Sequence, residues 1–246
     1  MELSEYEYAE KSTVEEIRAR FDADVERFSN LETGQTATID AALVLDLVTA
    51  AAAAVTPHAR ASLDIGCGAG NYTLKLLERL PGLDVTLIDL SRPMLDRAIE
   101  RITPRTTGRV TTLQTDIRNV DLGEAQYDVI LAAAVLHHLR TDDEWRSVFE
   151  AVYRSLRPGG SFWIADLVTH DDPRIQQLMW MRYGEYLTSL KGVEYRDAVF
   201  AYIAKEDTPR SVAFQWDLLK AVGFQQIELL HKTSCFAAFG GCKPAR

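Results

Sequence analysis

The stretch that decides the fold is Ala61-Ser62-Leu63-Asp64-Ile65-Gly66-Cys67-Gly68-Ala69-Gly70-Asn71-Tyr72-Thr73. It begins with an apolar run, continues with three glycines spaced two residues apart, and ends where a helical pattern begins. This order is typical of the strand, turn and helix start of a nucleotide-binding α/β unit. A dinucleotide fingerprint requires Gly or Ala at position 71, where this chain has Asn71, and the third glycine comes one residue early. The spacing therefore indicates a nucleotide site and disfavours a dinucleotide.

Strands and helices alternate from this stretch onward, which predicts a mainly parallel sheet with right-handed crossovers. Further strands are predicted at 85–89, 109–114, 127–132 and 161–165, with a closing pair at 226–231 and 234–242. Helices are predicted at 71–80, 172–190 and 195–204, and from Thr208-Pro209 to a stop at Gly223. The predicted fold class is therefore α/β.

Two apolar stripes precede this unit. They are Ile17, Phe21, Val25 and Phe28, and then Leu43, Val44, Leu47, Val48, Ala51 and Val55. We interpret both as helices that pack on the core; the alternative is an arm that covers a ligand cleft, with Tyr6, Tyr8 or Phe21 near the ligand. The predicted single domain, 1–246, comprises an N-terminal helical arm (1–58), a nucleotide-binding core (59–166), a helical lid (167–208), and a C-terminal helix with a strand pair (209–246).

The charge balance restricts the partners. The formal net charge is −9, with 27 Lys and Arg against 36 Asp and Glu. Broad contact with a nucleic-acid backbone requires clustered Lys and Arg that release counterions, so no extended nucleic-acid surface is expected. The hydrophobic fraction of 47% is that of an ordinary globular chain.

The remaining composition predicts a cytoplasmic protein with no metal site and no membrane segment. Cys67, Cys235 and Cys242 lack metal-ligand spacing and are odd in number; the first lies in the glycine loop and the other two are interpreted as strand residues. The first twenty residues are rich in Glu and Arg, unlike a signal peptide. Two aspartates interrupt the apolar run 37–55, which predicts a packed helix, because a membrane span requires about 20 strongly apolar residues.

Carboxylates close two of the predicted strands. Asp89 follows the last glycine of the loop by 19 residues, where a carboxylate accepts hydrogen bonds from both ribose hydroxyls of an adenosine. Asp116 and Ile117 close the third strand, where the carboxylate is expected to accept from the adenine amine. Met94 is expected to flank the adenine. Each has a plainer interpretation: Asp89 as a helix N-terminal acid, Asp116 as a loop cap and Met94 as a packing residue.

Five motifs occur in a fixed order: Asp64/Gly66/Gly68/Gly70, Leu87–Ser91, Asp116-Ile117, 129–138 and Leu156–Gly160. In order and spacing they resemble the class I S-adenosylmethionine (SAM)-dependent methyltransferases, over about residues 60–166 and, with the last two strands, over most of the chain. The resemblance implies a seven-stranded, mainly parallel Rossmann-like sheet with an antiparallel last strand, and SAM as the cofactor. It implies cofactor contacts at Asp64, Gly66, Cys67, Gly68, Gly70, Asp89, Leu90, Met94, Asp116, Ile117, Ala132 and Ala133.

The resemblance also implies transfer of a methyl group by in-line displacement, with S-adenosylhomocysteine (SAH) as the product. His137 follows the fourth strand at the cleft mouth and is the candidate catalytic base, because an imidazole titrates near neutral pH; the alternative is a capping or packing histidine. Four lid residues are candidates for acceptor binding through aromatic rings and an Arg–Glu pair: Trp180, Arg182, Tyr183 and Tyr186. Their plainer interpretation is helix packing with one solvated face.

We expect a small-molecule acceptor, since the acidic surface and compact lid disfavour a macromolecule; no membrane partner is expected, and a homodimer stays open. The lid and the tail Phe236–Gly241 also resemble the enzymes that make carboxy-SAM for tRNA wobble uridine modification. That branch implies an added arginine in the lid; the only arginine between about 190 and 205 is Arg196, whose register does not clearly match, so the role is not assigned to it. A third alternative is a catalytically silent SAM-binding module. The motifs do not determine the acceptor, nor whether O, N, S or C is methylated.

Overall fold

The computed structural model describes residues 11–30 and 35–245 of the chain. Seven strands form one sheet in the order β3-β2-β1-β4-β5-β7-β6. They are β1 (Ala61–Ile65), β2 (Asp84–Asp89), β3 (Val110–Gln114), β4 (Tyr127–Ala133), β5 (Leu156–Leu167), β6 (Gln225–Thr233) and β7 (Phe236–Cys242). The α-helices of the described residues are α1 (Val14–Ala23), α2 (Val25–Ser29), α3 (Ala41–Val55), α4 (Asn71–Leu77), α5 (Arg92–Ile102), α6 (Asp142–Ser155), α7 (Pro173–Lys191), α8 (Val193–Glu206) and α9 (Val212–Val222).

The pairing of the strands confirms the predicted fold class. Strand β1 pairs in parallel with β2 on one side and β4 on the other, and β4 pairs in parallel with β5. Strand β7 is antiparallel to both β5 and β6. Because parallel neighbours need a crossover, helices cover both faces of the sheet, and the carboxyl ends of β1, β2, β4 and β5 open on the same edge.

Two predicted boundaries differ from the structure by four residues or more. Strand β5 begins at Leu156 rather than at 161, and a register shift separates its pair with Tyr127 from the regular ladder. The last helix begins at Val212 rather than at Thr208, because the backbone N–H of Thr208 donates to the carbonyl of His137 at 2.6 Å and holds this segment extended. Ser211 then caps α9 by accepting a hydrogen bond from the N–H of Phe214.

Helix α3 packs with a face different from the predicted one. Its buried residues are Val44, Leu45, Val48, Thr49 and Ala52. Leu43, placed in the predicted stripe, is 50% exposed, and Val55 is 45% exposed. The buried Thr49 hydroxyl donates to the carbonyl of Leu45 at 2.8 Å, which satisfies it inside the core. Within the described ranges, neither α3 nor any other helix has the length and apolar character needed to cross a membrane.

The lid is docked through its own apolar cluster, apart from the two clusters that cover the sheet. Helices α7 and α8 contribute Tyr183, Leu187, Val199, Phe200 and Ile203, and the sheet edge contributes Leu167, Cys235 and Phe236. Trp180 on α7 stacks on Phe200 of α8 with ring centroids 4.5 Å apart. Cys235 lies in the turn between β6 and β7, not in a strand as predicted. The lid is therefore fixed over the carboxyl ends of the strands.

Candidate functional site

A cavity lies at the carboxyl ends of β1, β2, β4 and β5, beneath the N-terminal helices and the lid. Its wall includes the glycine loop, the ends of the central strands, side chains of α1 and α2, and residues of α7 and α8. The predicted cofactor residues that line it are Asp64, Gly66, Cys67, Gly68, Asp89, Leu90, Met94 and Ala133. Gly70, Asp116, Ile117 and Ala132 do not line it.

The three glycines of the loop are needed for three different reasons. A Cβ on Gly66 would lie 2.5 Å from the Val135 side chain, and one on Gly70 would lie 2.6 Å from Ile102. Gly70 therefore lets helix α5 pack closely against the loop, which explains why it does not face the cavity. A Cβ on Gly68 would meet no atom within 4 Å, and its φ of +50° is left-handed. Gly68 thus leaves open space beside its backbone, and ligand contact there stays a prediction.

Asp89 is held at the wall by the backbone. Its Oδ2 accepts a hydrogen bond from the N–H of Gly68 at 2.8 Å, and its Oδ1 accepts from the N–H of Ser91 at 2.9 Å. Burial raises the pKa of the carboxyl despite these bonds. Each carboxylate oxygen retains a further lone pair, so Asp89 is able to accept hydrogen bonds from a ligand in the cavity.

Asp64 lies deeper, at the end of β1, and is 2% exposed. Its Oδ2 accepts a hydrogen bond from the hydroxyl of Thr73 at 2.7 Å. Burial raises the pKa of Asp64 to about 7, more than the Thr73 hydrogen bond lowers it. The side chain therefore ionises most readily when a cation is near it.

The structure pairs Asp116 with a neighbour instead of directing it to the cavity. Arg118 donates to Asp116 from Nη2 at 2.6 Å and from Nε at 2.9 Å. Burial alone would raise the pKa of Asp116, but the guanidinium of Arg118 lowers it. Ala132 misses the cavity because side chains alternate along a strand, so Ala133 faces the cavity while Ala132 packs in the core. Adenine contact by Asp116 and Ile117 stays a prediction.

His137 also lines the cavity, in a short 3₁₀ turn after β4. Its backbone N–H donates to Oδ2 of Asp166 at 3.1 Å, and its ring Nδ1 makes a close hydrogen bond to Oδ1 of the same carboxylate. Its Nε2 lies 3.6 Å from Oδ1 of Asp207. Burial alone would lower the pKa of His137, but the carboxylates of Asp166 and Asp207 raise it to about 9.

The carboxylate of Asp207 lies close to the rings of both His137 and His138. Its Oδ1 lies 3.4 Å from Nδ1 of His138 and is buried without a hydrogen-bond partner among the described residues. Burial raises the pKa of Asp207 to about 6, although the charge on His137 lowers it. Burial and the neighbouring charge on His137 lower the pKa of His138 well below its usual range. Sequence reasoning missed Asp166 and Asp207; a carboxylate at the end of a strand, as in Asp166, is the signal that was available.

The N-terminal arm covers the cavity. The guanidinium of Arg20 lies 4.3 Å above the Phe21 ring and forms a buried ion pair with Glu206, with Nη2 2.5 Å from Oε2. Phe21, Arg27 and Phe28 line the cavity as well. The covering-arm alternative therefore holds for Phe21, whereas Tyr6 and Tyr8 lie outside the described residues.

One of the four lid candidates, Tyr183, lines the cavity. Its hydroxyl donates to the carbonyl of Ala37 at 3.0 Å, and the hydroxyl of Tyr186 donates to the carbonyl of Thr36 at 2.8 Å. These bonds hold the segment before α3 against the lid. Trp180 packs on α8, and Arg182 is exposed to solvent. Acceptor binding by Trp180, Arg182 and Tyr186 stays a prediction that this arrangement does not favour.

Comparison with known proteins relates the chain to methyltransferases. Residues 63–162 match the methyltransferase domain family. The chain is similar to "Uncharacterized methyltransferase Rv0089" of Mycobacterium tuberculosis, with 30% identity over 48% of this chain and 54% of that protein. It is also similar to a carboxy-S-adenosyl-L-methionine synthase of Pasteurella multocida, with 25% identity over 68% of this chain and 69% of that protein. The chain spans 38–54% of the length of the first curated relatives it matches.

A solved structure has the same fold. The 1,6-didemethyltoxoflavin-N1-methyltransferase of Burkholderia thailandensis, with bound 1,6-didemethyltoxoflavin and SAH, superposes with a TM-score of 0.62 at 19% identity, over 96% of this chain and 92% of that one. The strand order, the glycine loop and the family match agree with one another. The chain therefore contains a methyltransferase domain of the SAM-dependent, Rossmann-like class.

Proposed function

We propose that the protein binds SAM and transfers its methyl group to a small-molecule acceptor held in the same cavity. The observation that carries this proposal is that a single cavity is lined both by Asp64, Gly68 and Asp89 and by His137 and Asp166. A cofactor and an acceptor bound in this cavity would lie side by side.

The residues proposed to hold the cofactor fit the three parts of SAM. Gly68 leaves open space beside its backbone, Asp89 has lone pairs to accept from ribose hydroxyls, and Asp64 is able to pair with an ammonium group. When bound, SAM supplies a methyl group on a positively charged sulfur, already activated for displacement. The chain contributes orientation, which lowers a barrier of this kind by about 7–11 kcal/mol when the reacting atoms are aligned.

The lining of the cavity supports a small molecule as the acceptor. Aromatic rings from the arm, the lid and the sheet edge line the cavity: Phe21, Phe28, Tyr183, Tyr202 and Phe236. Covered in this way, the cavity is suited to a planar or apolar compound and leaves little access for a macromolecular chain. The likeness to an enzyme with a bound small heterocycle supports the same class of acceptor. A homodimer and the absence of an extended nucleic-acid surface stay predictions.

His137 is the proposed catalytic group. Asp166 holds the ring at Nδ1, which directs Nε2 into the cavity. Because the two carboxylates raise the pKa of His137 to about 9, the ring is charged at neutral pH. His137 would therefore act as a general base mainly at alkaline pH, for an acceptor that loses a proton on methylation.

Calorimetry and turnover test the proposal. The purified protein is expected to bind SAH with micromolar affinity and, with a library of small nucleophiles, to release SAH with at least one of them. Failure to bind either SAM or SAH would overturn it. Binding without turnover on any acceptor would favour the silent module.

Carboxy-SAM synthesis is the second candidate, favoured by the likeness to the Pasteurella enzyme over two thirds of both chains. Arg196 pairs with Asp197 at 2.8 Å and does not line the cavity. Cationic side chains reach the cavity wall from the arm, at Arg20 and Arg27. Mass spectrometry of the copurified nucleotide separates the two functions, because carboxy-SAM is heavier than SAM.

A further inference from the structure

Three potential ligand atoms converge at the wall of the cavity. They are Nε2 of His137, Nδ1 of His138 and Oδ1 of Asp207, all within 4.8 Å of one another. The carboxylate oxygen lies 3.6 Å from the first nitrogen and 3.4 Å from the second, which also lies 3.4 Å from the backbone carbonyl oxygen of Glu206. Ligand atoms bound tetrahedrally at ~2.1 Å from a metal lie about 3.4 Å apart. The two separations from the carboxylate oxygen are close to that value, and a bound ion would displace the weak contact between His138 and Glu206.

Asp166 gives His137 the orientation of a metal ligand. It accepts from the ring Nδ1, and its other oxygen accepts from the backbone N–H of the same residue at 3.1 Å. A carboxylate on the far nitrogen fixes the orientation of the ring, so that Nε2 is the nitrogen that a metal ion would bind, with release of its proton. Metal-binding histidines are commonly held in this way.

The carboxylate of Asp207 lies near both imidazoles but makes no hydrogen bond to either of them. Its Oδ1 is buried and has no hydrogen bond among the described residues. The nearby arginine and lysine side chains are engaged elsewhere: Arg20 pairs with Glu206, and Nζ of Lys11 donates to the backbone carbonyls of Ala204 and Asp207. Arg140 likewise donates to the hydroxyl of Thr208. The ring of His137 is the cation that faces this oxygen, 3.6 Å from it, and a metal ion bound between the same groups would supply the positive charge in its place.

We propose that His137, His138 and Asp207 bind one divalent transition-metal ion, with Asp166 as the positioning residue that orients His137. Two imidazoles and one carboxylate suit Zn²⁺, Fe²⁺ or Mn²⁺ better than Mg²⁺ or Ca²⁺, which prefer oxygen ligands. All four residues line the cavity, so the remaining coordination positions face it and take water or an acceptor with an oxygen or nitrogen donor.

This site revises the expectation that the chain holds no metal, which rested on cysteine spacing. It also gives His137 a different part: with a metal bound, its Nε2 is a ligand and does not accept a proton. The site does not depend on methyl transfer, because metal binding is measured without SAM or an acceptor.

Titration of the chelator-treated full chain with Co²⁺ tests the site. We expect one equivalent to bind, with visible d–d absorption in the range of low-coordinate cobalt. Asp207→Asn and His138→Gln are expected to weaken Co²⁺ and Zn²⁺ binding at least tenfold, and Asp166→Asn to weaken it roughly tenfold. His231→Gln is the matched control, since His231 pairs with Asp40 at the surface at 3.0 Å and lies outside the cavity; it is expected to bind as the wild type does.

Absence of stoichiometric binding by the wild type would overturn the proposal, as would unchanged affinity in both ligand variants. Circular dichroism shows whether the variants fold. The wild type alone gives a second readout: paramagnetically shifted NMR signals from two imidazoles are expected in the Co²⁺ form, and spectra without them would contradict His137 and His138 as ligands. Calorimetry with SAH, run separately, reports on the methyltransferase proposal independently of the metal.

Discussion

The side-chain amide of Asn71 donates a hydrogen bond to the backbone carbonyl of Phe28 at 3.0 Å. This bond ties the start of α4, at the glycine loop, to the helical arm 43 residues earlier. Arg101 donates to the Oδ1 of Asn71 at 2.8 Å and to the carbonyl of Ala69, so the amide is held from both sides. Asn71, which disfavours a dinucleotide site, thus holds the helical arm in place over the cavity.

Asn71→Ala is expected to loosen the arm and to weaken SAM binding by about 1 kcal/mol, or roughly fivefold, the usual value of one hydrogen bond. Calorimetry and limited proteolysis of the arm, with and without SAH, measure the effect. Gln126→Ala removes an exposed amide that donates to the carbonyl of Glu124 at 2.7 Å, and serves as the control. Equal affinities in the three proteins would show that the bond does not support the closed cavity.

Asp89→Ala is expected to weaken SAM binding by about 2 kcal/mol, near thirtyfold, because it removes charge-assisted hydrogen bonds to the ribose. Asp84→Asn is the matched control: it lies at the other end of β2, where its Oδ1 accepts from the N–H of Arg109 at 2.7 Å. Calorimetry measures the Kd for SAM in the wild type and in both variants. Normal affinity in Asp89→Ala would refute the ribose assignment.

SAM affinity is expected to depend on pH through Asp64. Its pKa of about 7 makes the free side chain mostly neutral at pH 6 and mostly charged at pH 8. Since the ammonium of SAM favours the charged form, the Kd is expected to rise as the pH falls from 8 to 6. Asp64→Asn should bind more weakly at pH 8 and lose the Asp64-dependent slope; the same slope in both proteins would assign it to another group.

The same carboxyl is expected to affect stability in the opposite sense. Its pKa in the folded protein lies above the ordinary value of 3.8, so the bound proton stabilises the fold fully below about pH 4. That contribution is lost as the pH rises through 7. Urea unfolding of the SAM-free protein is therefore expected to show the wild type losing stability relative to Asp64→Asn between pH 5 and 8. A constant difference would contradict the assignment.

Gly68→Ala and Gly70→Ala are expected to fail in different ways. A methyl group at Gly68 meets no protein atom but enters the cavity, so we expect lost SAM binding with roughly 1–2 kcal/mol of backbone strain. A methyl group at Gly70 overlaps Ile102, so we expect overpacking of about 1–3 kcal/mol in addition to that strain. Thermal unfolding and SAH calorimetry on both variants separate the effects. Greater loss of stability in Gly68→Ala would reverse the roles assigned to the two glycines.

Local features of the fold were predictable because neighbouring residues determine them. The glycine spacing predicted the turn after β1. Short-range caps begin two other helices: Thr141 forms a capping box with Glu144, whose carboxylate accepts from the N–H of Thr141, and Ser91 caps α5 by accepting from the N–H of Met94. The errors lie where a distant contact competes with local propensity, as when His137 holds Thr208 extended and delays the start of α9.

The amino-acid sequence by itself determined the α/β fold and the glycine loop, because each depends on motifs shorter than about thirty residues. The tertiary structure alone decided the arrangement around His137. There the adjacency of β4 and β5 brings Asp166 to His137, 29 positions earlier, and the end of the lid brings Asp207 to His138. No local pattern records these distances, since side chains far apart along the chain become neighbours only when packing fixes the strand order and the lid.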